Sequence, residues 1–304
     1  MTATTGKVTG AAEAVARLVT PGAVVGMGGQ NINRCPMALV HEVIRQGIGE
    51  LTVVGCNLSL PLDMLVAAGL VARTEQGTGN LERYGTLFAW RRAVERGEVG
   101  VGDHSHLAMA TRFAAGALGL PYLPTRSLLG TDLLADMVAA GYARQDVDPW
   151  SGVPVVLLKA MIPDVAIIHA NRADISGNVV IEGVTSHEVD MVRAARATIV
   201  SAEEIVPEGT FADRPEQVTI PEAYVSAVVE QPFGAFPTSV YRAYDFAESE
   251  IREYQALGRA GDEELRRWLT ANVHAGTDFD AFLTARDPEG SLRARLTDQM
   301  RSLV

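Results

Sequence analysis

Cysteine is scarce in this sequence: Cys35 and Cys56 are the two in 304 residues. Two cysteines in no metal-ligand spacing exclude a disulfide-stapled scaffold and a zinc-ribbon type of site, and they point to a reduced, cytoplasmic setting. Long apolar runs are missing too. The longest, Val153–Ile162, is interrupted by Lys159 and falls short of the ~18 residues of a membrane span. Met1–Thr9 is polar, with one lysine and no apolar core, so it does not read as a secretory signal. Positive charge is in deficit, with 26 Lys and Arg against 37 Asp and Glu and a net charge of -11. That balance argues against a nucleic-acid surface or a basic membrane-binding face. An anionic ligand must then be met by local arginines and N–H groups, because the overall field opposes it. Neither GxGxxG nor GxxxxGK[ST] occurs: glycines stand at 26, 28 and 29 with none three residues on, which disfavours a dinucleotide or phosphate-loop site. Solenoid-period repeats and low-complexity runs are absent.

What is present is ordinary globular composition, 47% hydrophobic and 21% charged, enough for a large core. Helical patterns alternate with short apolar runs, which predicts an α/β fold: an open, largely parallel sheet flanked by helices. Helices are expected over Ala11–Leu18 (capped by Thr9), from Pro36 to Gly47, over Pro61–Ala68, Thr86–Arg96, from Ser105 to Leu118, and near Leu133–Ala140. Strands are expected over Ala23–Gly26, Leu51–Gly55, Val99–Asp103, Val153–Lys159, Val165–Ala170, Val179–Glu182 and Ala197–Ala202. Thr185 and Glu188 have the spacing of a capping box for a helix to about Arg196. Beyond residue 240 the character turns to charged amphipathic helices, opened by Asp245 with Glu248, by Asp262, and near 291–303. We therefore expect a main α/β unit over 1–240 and a helical C-terminal extension of the same domain over 241–304.

The stretch around which this pattern turns is Val24 to Val40: a buried strand, a polar glycine loop and a helix start. Gly28 and Gly29 let the backbone turn sharply and admit close approach. Pro36 suits a first helical position, with Met37, Val40, Val43 and Ile44 on one face. Free N–H groups there, with Arg34 beside them, suit a carboxylate or thioester oxygen. A packing turn is the plainer alternative.

Other residues carry chemistry in principle. Asp103-His104-Ser105-His106 concentrates proton-transfer groups. Its two histidines, two apart, do not share a helix face, so a metal pair is unsupported; the plainer reading is a helix cap by Asp103 or Ser105. Cys56 follows a strand, where either a thiolate nucleophile or buried filler fits. Arg126, after two prolines, offers a rigid guanidinium for a carboxylate, or a salt bridge to Asp132 or Asp136. Asn171, Asp174 and Asn178 suit a turn. Glu203-Glu204 offers a nucleophilic carboxylate, or a solvated helix start.

Several segments taken in order resemble a known family. Gly28-Gly29 with Arg34-Cys35-Pro36-Met37-Ala38-Leu39, Leu51–Gly55, Phe113–Ser127, Leu129–Asp132, Pro163–His169, Asp174–Val179 and Thr198–Val206 are similar to the alpha subunit of class I CoA-transferases, in the glutaconate CoA-transferase branch. The likeness covers most of residues 10–235. It implies a partner beta subunit in an α2β2 assembly and a coenzyme A thioester as substrate, with no permanently bound cofactor. In that family a glutamate attacks the acyl-CoA to give an acyl-glutamyl anhydride. The released thiolate converts this to a glutamyl-CoA thioester, and an acceptor carboxylate takes the CoA. In two-chain members that glutamate belongs to the beta subunit, so no catalytic nucleophile is assigned here. The resemblance implies substrate contacts from Gly28, Gly29, Gln30, Arg34, His106, Arg126 and Ser127, and no metal. Gln30 replaces the aromatic that many relatives place after the double glycine. The same scaffold hosts acyl-CoA C–C hydrolases and decarboxylases. Hydrolase relatives carry a glutamate near 103–106, where this chain has His106, which weakens that alternative. A non-catalytic metabolite-binding domain is the remaining alternative.

Overall fold

The computed structural model describes residues 6–303; Met1–Thr5 and Val304 lie outside the described residues. Eight strands form the main sheet: β1 (Val24–Met27), β2 (Leu51–Leu58), β3 (Val71–Gly79), β4 (Gly100–Asp103), β8 (Val165–Asp174), β9 (Val179–Val180), β10 (Ala197–Val206) and β11 (Ala227–Glu230). The three between, β5 (Tyr122–Thr125), β6 (Ala143–Val147) and β7 (Pro154–Lys159), form a second sheet. The main order is β11-β10-β8-β1-β2-β3-β4, every pair on that path parallel, with the short β9 antiparallel on β8. An open, largely parallel sheet is therefore what forms. β6 and β11 lie in stretches that carry no strand expectation, and the antiparallel second sheet is likewise new.

The central strands are buried on both faces, which is why β1 and β8 read as nearly unbroken apolar runs at Val24–Met27 and Val165–Ala170. Val53, Ile167 and Ile199 point into one core, while Val54, Ile168 and Val200 point into the other. The first core takes helices α1 (Ala11–Leu18), α2 (Met37–Gln46), α3 (Leu60–Ala67) and α4 (Phe88–Glu95). The second takes α5 (His106–Ala117) and α7 (Glu188–Ala194), with α6 (Asp132–Ala139) backing the small sheet. The C-terminal helices α8 (Glu248–Ala260), α9 (Asp262–Leu269) and α10 (Phe279–Arg286) pack on α4, α3 and α2 in turn rather than on the sheet, and α11 (Ser291–Leu303) adds Leu296 to the same core. Asp63 on α3 is one clamp: it accepts from the Trp90 N–H at 2.9 Å and the Tyr254 hydroxyl at 3.1 Å.

Several local expectations are corrected. Gly10, not Thr9, is the N-cap of α1; the Thr9 hydroxyl instead donates to Glu13. Pro36 is the N-cap of α2, one position before the helix. β2 continues through Cys56 to Leu58, and β10 through Glu203-Glu204 to Val206, because neighbouring strands offer ladder partners out to those residues. Glu203 and Glu204 are thus strand residues and not a helix start. The Thr185–Glu188 capping box does not form: α7 begins at Glu188, whose carboxylate turns inward.

Candidate functional site

The path reverses direction at β1. From there the chain proceeds through α2 to β2 on one side, while β8 lies on the other. In open α/β sheets the crevice at the carboxyl ends of such strands is where ligands bind. The glycine loop leaves β1 at this point. Gly28 donates its N–H to the Ile167 carbonyl at 2.9 Å, extending the β1–β8 pairing. A Cβ on residue 28 would lie 2.7 Å from Glu188 Oε1, and one on residue 29 would lie 2.9 Å from Cys35 Cα. Gly29 also has φ +87. The close approach these glycines permit is therefore to the chain's own Glu188 and Cys35. Gln30 and Asn33 exchange backbone hydrogen bonds of 2.9 Å, making a tight, half-exposed tip at residues 30–33. Asn31 and Arg34 both sit at left-handed φ, 54 and 56, a cost of about 1 kcal/mol or more each, held only where the surroundings over-determine it.

Arg34 supplies much of that determination. It is 1% exposed. Its Nη1 donates to Glu188 Oε1 at 3.0 Å and to the His169 carbonyl at 3.1 Å, and its Nη2 donates to the Val184 carbonyl at 2.8 Å and to Glu188 Oε2. Glu188 Oε1 also accepts the Gly29 N–H at 2.9 Å. The guanidinium expected beside a ligand is thus used internally: it locks the glycine loop to α7 and β8. The far side of the loop is tied by Arg34 N–H to the Ser239 carbonyl at 2.6 Å and Cys35 N–H to Thr238 Oγ1 at 3.1 Å.

Beside this loop, the carboxyl ends of β2 and β3 and the start of α5 bring three polar side chains together. The Thr78 hydroxyl donates to Asn57 Oδ1 at 3.0 Å and lies 3.0 Å from His106 Nε2. With the Thr78 proton directed at Asn57, Nε2 is the donor to Thr78. The opposite, Nδ1 edge of the exposed imidazole then faces away from the strand. Gly77 makes the arrangement possible, since a Cβ there would stand 2.3 Å from His106 Cδ2. Asn57, Gly77 and Thr78 carried no sequence motif. Their signal was positional: each lies at the end of a strand of a parallel sheet. Ser105 does cap α5, accepting the Ala108 N–H at 3.1 Å.

The candidate nucleophiles are withdrawn. Burial pushes the Cys56 thiol up to about 12, so it is not a thiolate. Glu203 Oε1 accepts from His169 Nε2 at 2.6 Å and the Tyr244 hydroxyl at 2.8 Å, and Oε2 accepts the Phe233 N–H at 2.7 Å. His104 is buried with Arg112 and Glu75, and burial lowers its pKa. Asp174 Oδ1 accepts the N–H groups of Ser176, Gly177 and Asn178, which makes the expected turn. Arg126 and Ser127 follow β5 on the small sheet, apart from the glycine loop, and among the described residues Arg126 forms no bridge to Asp132 or Asp136. Also among the described residues, no group of three metal-binding side chains gathers, and no helix is long and apolar enough to cross a membrane.

Residues 8–231 match the family described as Coenzyme A transferase. This chain belongs to the coenzyme A transferase family. Within it, the transferase chain is 31% identical to the A-type subunit of glutaconate CoA-transferase from Acidaminococcus fermentans, over 89% of this chain and 84% of that one. The crystal structure of that enzyme superposes with a TM-score of 0.89 at 30% identity, covering 94% of each chain. The transferase chain is also 32% identical to the A-type subunit of 3-oxoadipate CoA-transferase from Pseudomonas knackmussii, over 89% of this chain and 94% of the relative. An uncharacterized protein of Archaeoglobus fulgidus is 40% identical over 91% of this chain, which spans 61% of that longer protein. The transferase chain is built as the corresponding subunits of these two-subunit enzymes are. Neither the hydrolase and decarboxylase alternatives nor a non-catalytic domain is favoured by these relatives.

Proposed function

We propose that this chain is the alpha subunit of a heteromeric CoA-transferase that moves CoA between small carboxylic acids, dicarboxylic acids among them. The glutamate that attacks the acyl-CoA comes from a beta subunit. The observation that carries this reading is the state of the two inward-facing carboxylates behind the glycine loop, on α7 and β10. Glu188 is committed to Arg34 and the Gly29 N–H, and Glu203 to His169, Tyr244 and the Phe233 N–H. Neither is free to attack a thioester. What the chain offers instead is a rigid polar rim: the Gln30 tip and the His106–Thr78–Asn57 chain, whose Nδ1, an acceptor when Nε2 donates to Thr78, is open to an N–H or O–H of a bound molecule. Such groups orient a bound thioester without forming a bond to it. Within this reading Gly28, Gly29 and Arg34 are positioning residues, and Gln30 and His106 face substrate. An α2β2 assembly in the reducing cytoplasm, with no permanent cofactor, completes the proposal; the two free cysteines are in keeping with that compartment.

The test is reconstitution. The chain by itself should exchange no CoA between an acyl-CoA and a free carboxylate. Addition of the beta subunit should restore exchange with ping-pong kinetics, as a covalent enzyme intermediate requires. Exchange by the lone chain, or a shortened CoA product formed without any acceptor acid, would overturn it.

A further inference from the structure

One short turn touches both the glycine loop and the C-terminal helices. It follows β3 and is built around the single 3-10 turn Glu82–Tyr84. Leu81 is fully buried in the first core, and its N–H donates to the Gly85 carbonyl at 2.8 Å, which closes the turn. On one side Tyr84 stands edge-on to Phe246, just ahead of α8, with ring centres 6.3 Å apart. Arg83 lies 5.2 Å from the same Phe246 ring and 3.9 Å from Glu248 on α8. On the other side the Asn31 amide donates to the Glu82 carboxylate, 51 residues away in the chain.

Asn31 is therefore held from two directions. From within, its carbonyl accepts from the Ser59 hydroxyl and from the Cys35 thiol at 3.2 Å. From outside, its side chain is tied to Glu82. Glutamate is a costly choice for that position, because φ is 54 at Glu82 as it is at Asn31. Asparagine enters the left-handed region readily and glycine freely, whereas glutamate does so at a cost. The side chain returns nothing to its own turn: among the described residues its carboxylate meets only the Asn31 amide. What the glutamate supplies is reach across to the loop.

We infer that Glu82 is a positioning residue, pinning the tip of the glycine loop to a turn braced by the C-terminal helices and so fixing Gln30 at the rim of the crevice. The pin stands on geometry alone; that Gln30 then meets substrate rests on the reaction proposed above. An exposed hydrogen bond to a carboxylate is too small to decide the fold, but it is large enough to set how often a four-residue tip opens.

The experiment follows amide hydrogen exchange over residues 29–34 by mass spectrometry, together with CoA exchange, on the complex copurified with the beta subunit. Glu82→Gly should speed hydrogen exchange at the tip by about five- to tenfold, the worth of one such bond. It should do so without lowering the melting temperature, because it also relieves the left-handed φ. Asn31→Asp sets two carboxylates against each other and should loosen the tip at least as far. Glu82→Gln keeps an oxygen for the Asn31 amide and should hold the tip within about twofold of the wild type. In the CoA assay kcat/KM should follow the tip, down about tenfold in Glu82→Gly and recovered in Glu82→Gln. Unchanged hydrogen exchange in Glu82→Gly and Asn31→Asp would overturn the inference, and so would Glu82→Gln loosening the tip as far as Glu82→Gly does. A loosened tip with unaltered CoA exchange would uphold the pin and overturn the place of Gln30 in the proposed reaction.

Discussion

Two arginines lie in polar loops next to prolines, and the fold treats them in opposite ways. Arg34 enters the switch-point crevice between β1 and β8 and spends its guanidinium on Glu188 and two carbonyls. Arg126 leaves β5 on the outer face of the small sheet with no carboxylate partner among the described residues. The first region is rigid because its charges are satisfied from within; the second is open because its charge is not. Rigidity at the crevice keeps the glycine loop in a left-handed conformation that only a fully bonded environment sustains. Openness at the small sheet leaves a surface to be covered from outside.

The sharpest way to break this contrast is to truncate each partner. Glu188→Ala leaves the Arg34 guanidinium buried and unpaired, and we expect a loss of about 3–5 kcal/mol in urea unfolding. Arg126→Ala, on the exposed side, should change stability by no more than about 0.5 kcal/mol. Equal losses at the two sites would erase the distinction.

Buried carboxylates sharpen it through pH. Burial pushes the Asp63 carboxyl up to about 6 despite its bonds from Trp90 and Tyr254. Its protonated form is favoured in the folded chain. The stability it contributes is therefore present in full below about pH 4 and lost as pH rises through about 6, by roughly 3 kcal/mol. Glu75 has the opposite sign. Burial opposes its charge, but His104, Arg112 and Tyr142 hold it at about 2, so its contribution is present above about pH 4.5 and lost as pH falls through about 2. Urea unfolding across pH should show Asp63→Asn flattening the limb between about pH 4 and 6 alone, since an amide can still accept from Trp90 and meet Tyr254. An unchanged slope would mean that Asp63 does not set that limb.

Smaller effects are expected at the rim. Gly77→Ala drives a methyl into the His106 ring and the Cys56 carbonyl, at 2.3 and 2.9 Å. It should lower kcat/KM of the reconstituted enzyme by about tenfold and cost on the order of 1–3 kcal/mol of stability. His106→Ala should reproduce the kinetic loss with no stability change, because the ring is exposed. A drop in stability without a kinetic effect would make His106 a surface residue only.

Much of the fold was legible in the sequence, and the reason is physical. Parallel strands buried on two faces leave apolar runs such as Val165–Ala170, and Gly47 closes α2 at φ 63 as a left-handed C-cap should. What escaped was set by partners distant in the chain. β6 and β11 are too short and mixed to declare themselves without the strands they pair with. Glu188 has capping-box spacing from Thr185, yet a buried guanidinium 154 residues away outcompetes the helix end for its carboxylate. At the site, the glycine loop was visible as a loop, but that its close contacts are internal was not. The His106–Thr78–Asn57 chain joins three separate elements, so no local pattern encodes it.

The most direct measurement is to incubate the two-subunit complex with an acyl-CoA, trap with borohydride or hydroxylamine, and map the modification by mass spectrometry. One modified glutamate is expected, on the partner chain, with every carboxylate of this chain intact. Modification of Glu188, Glu203 or any other residue of this chain would contradict a nucleophile supplied from outside it.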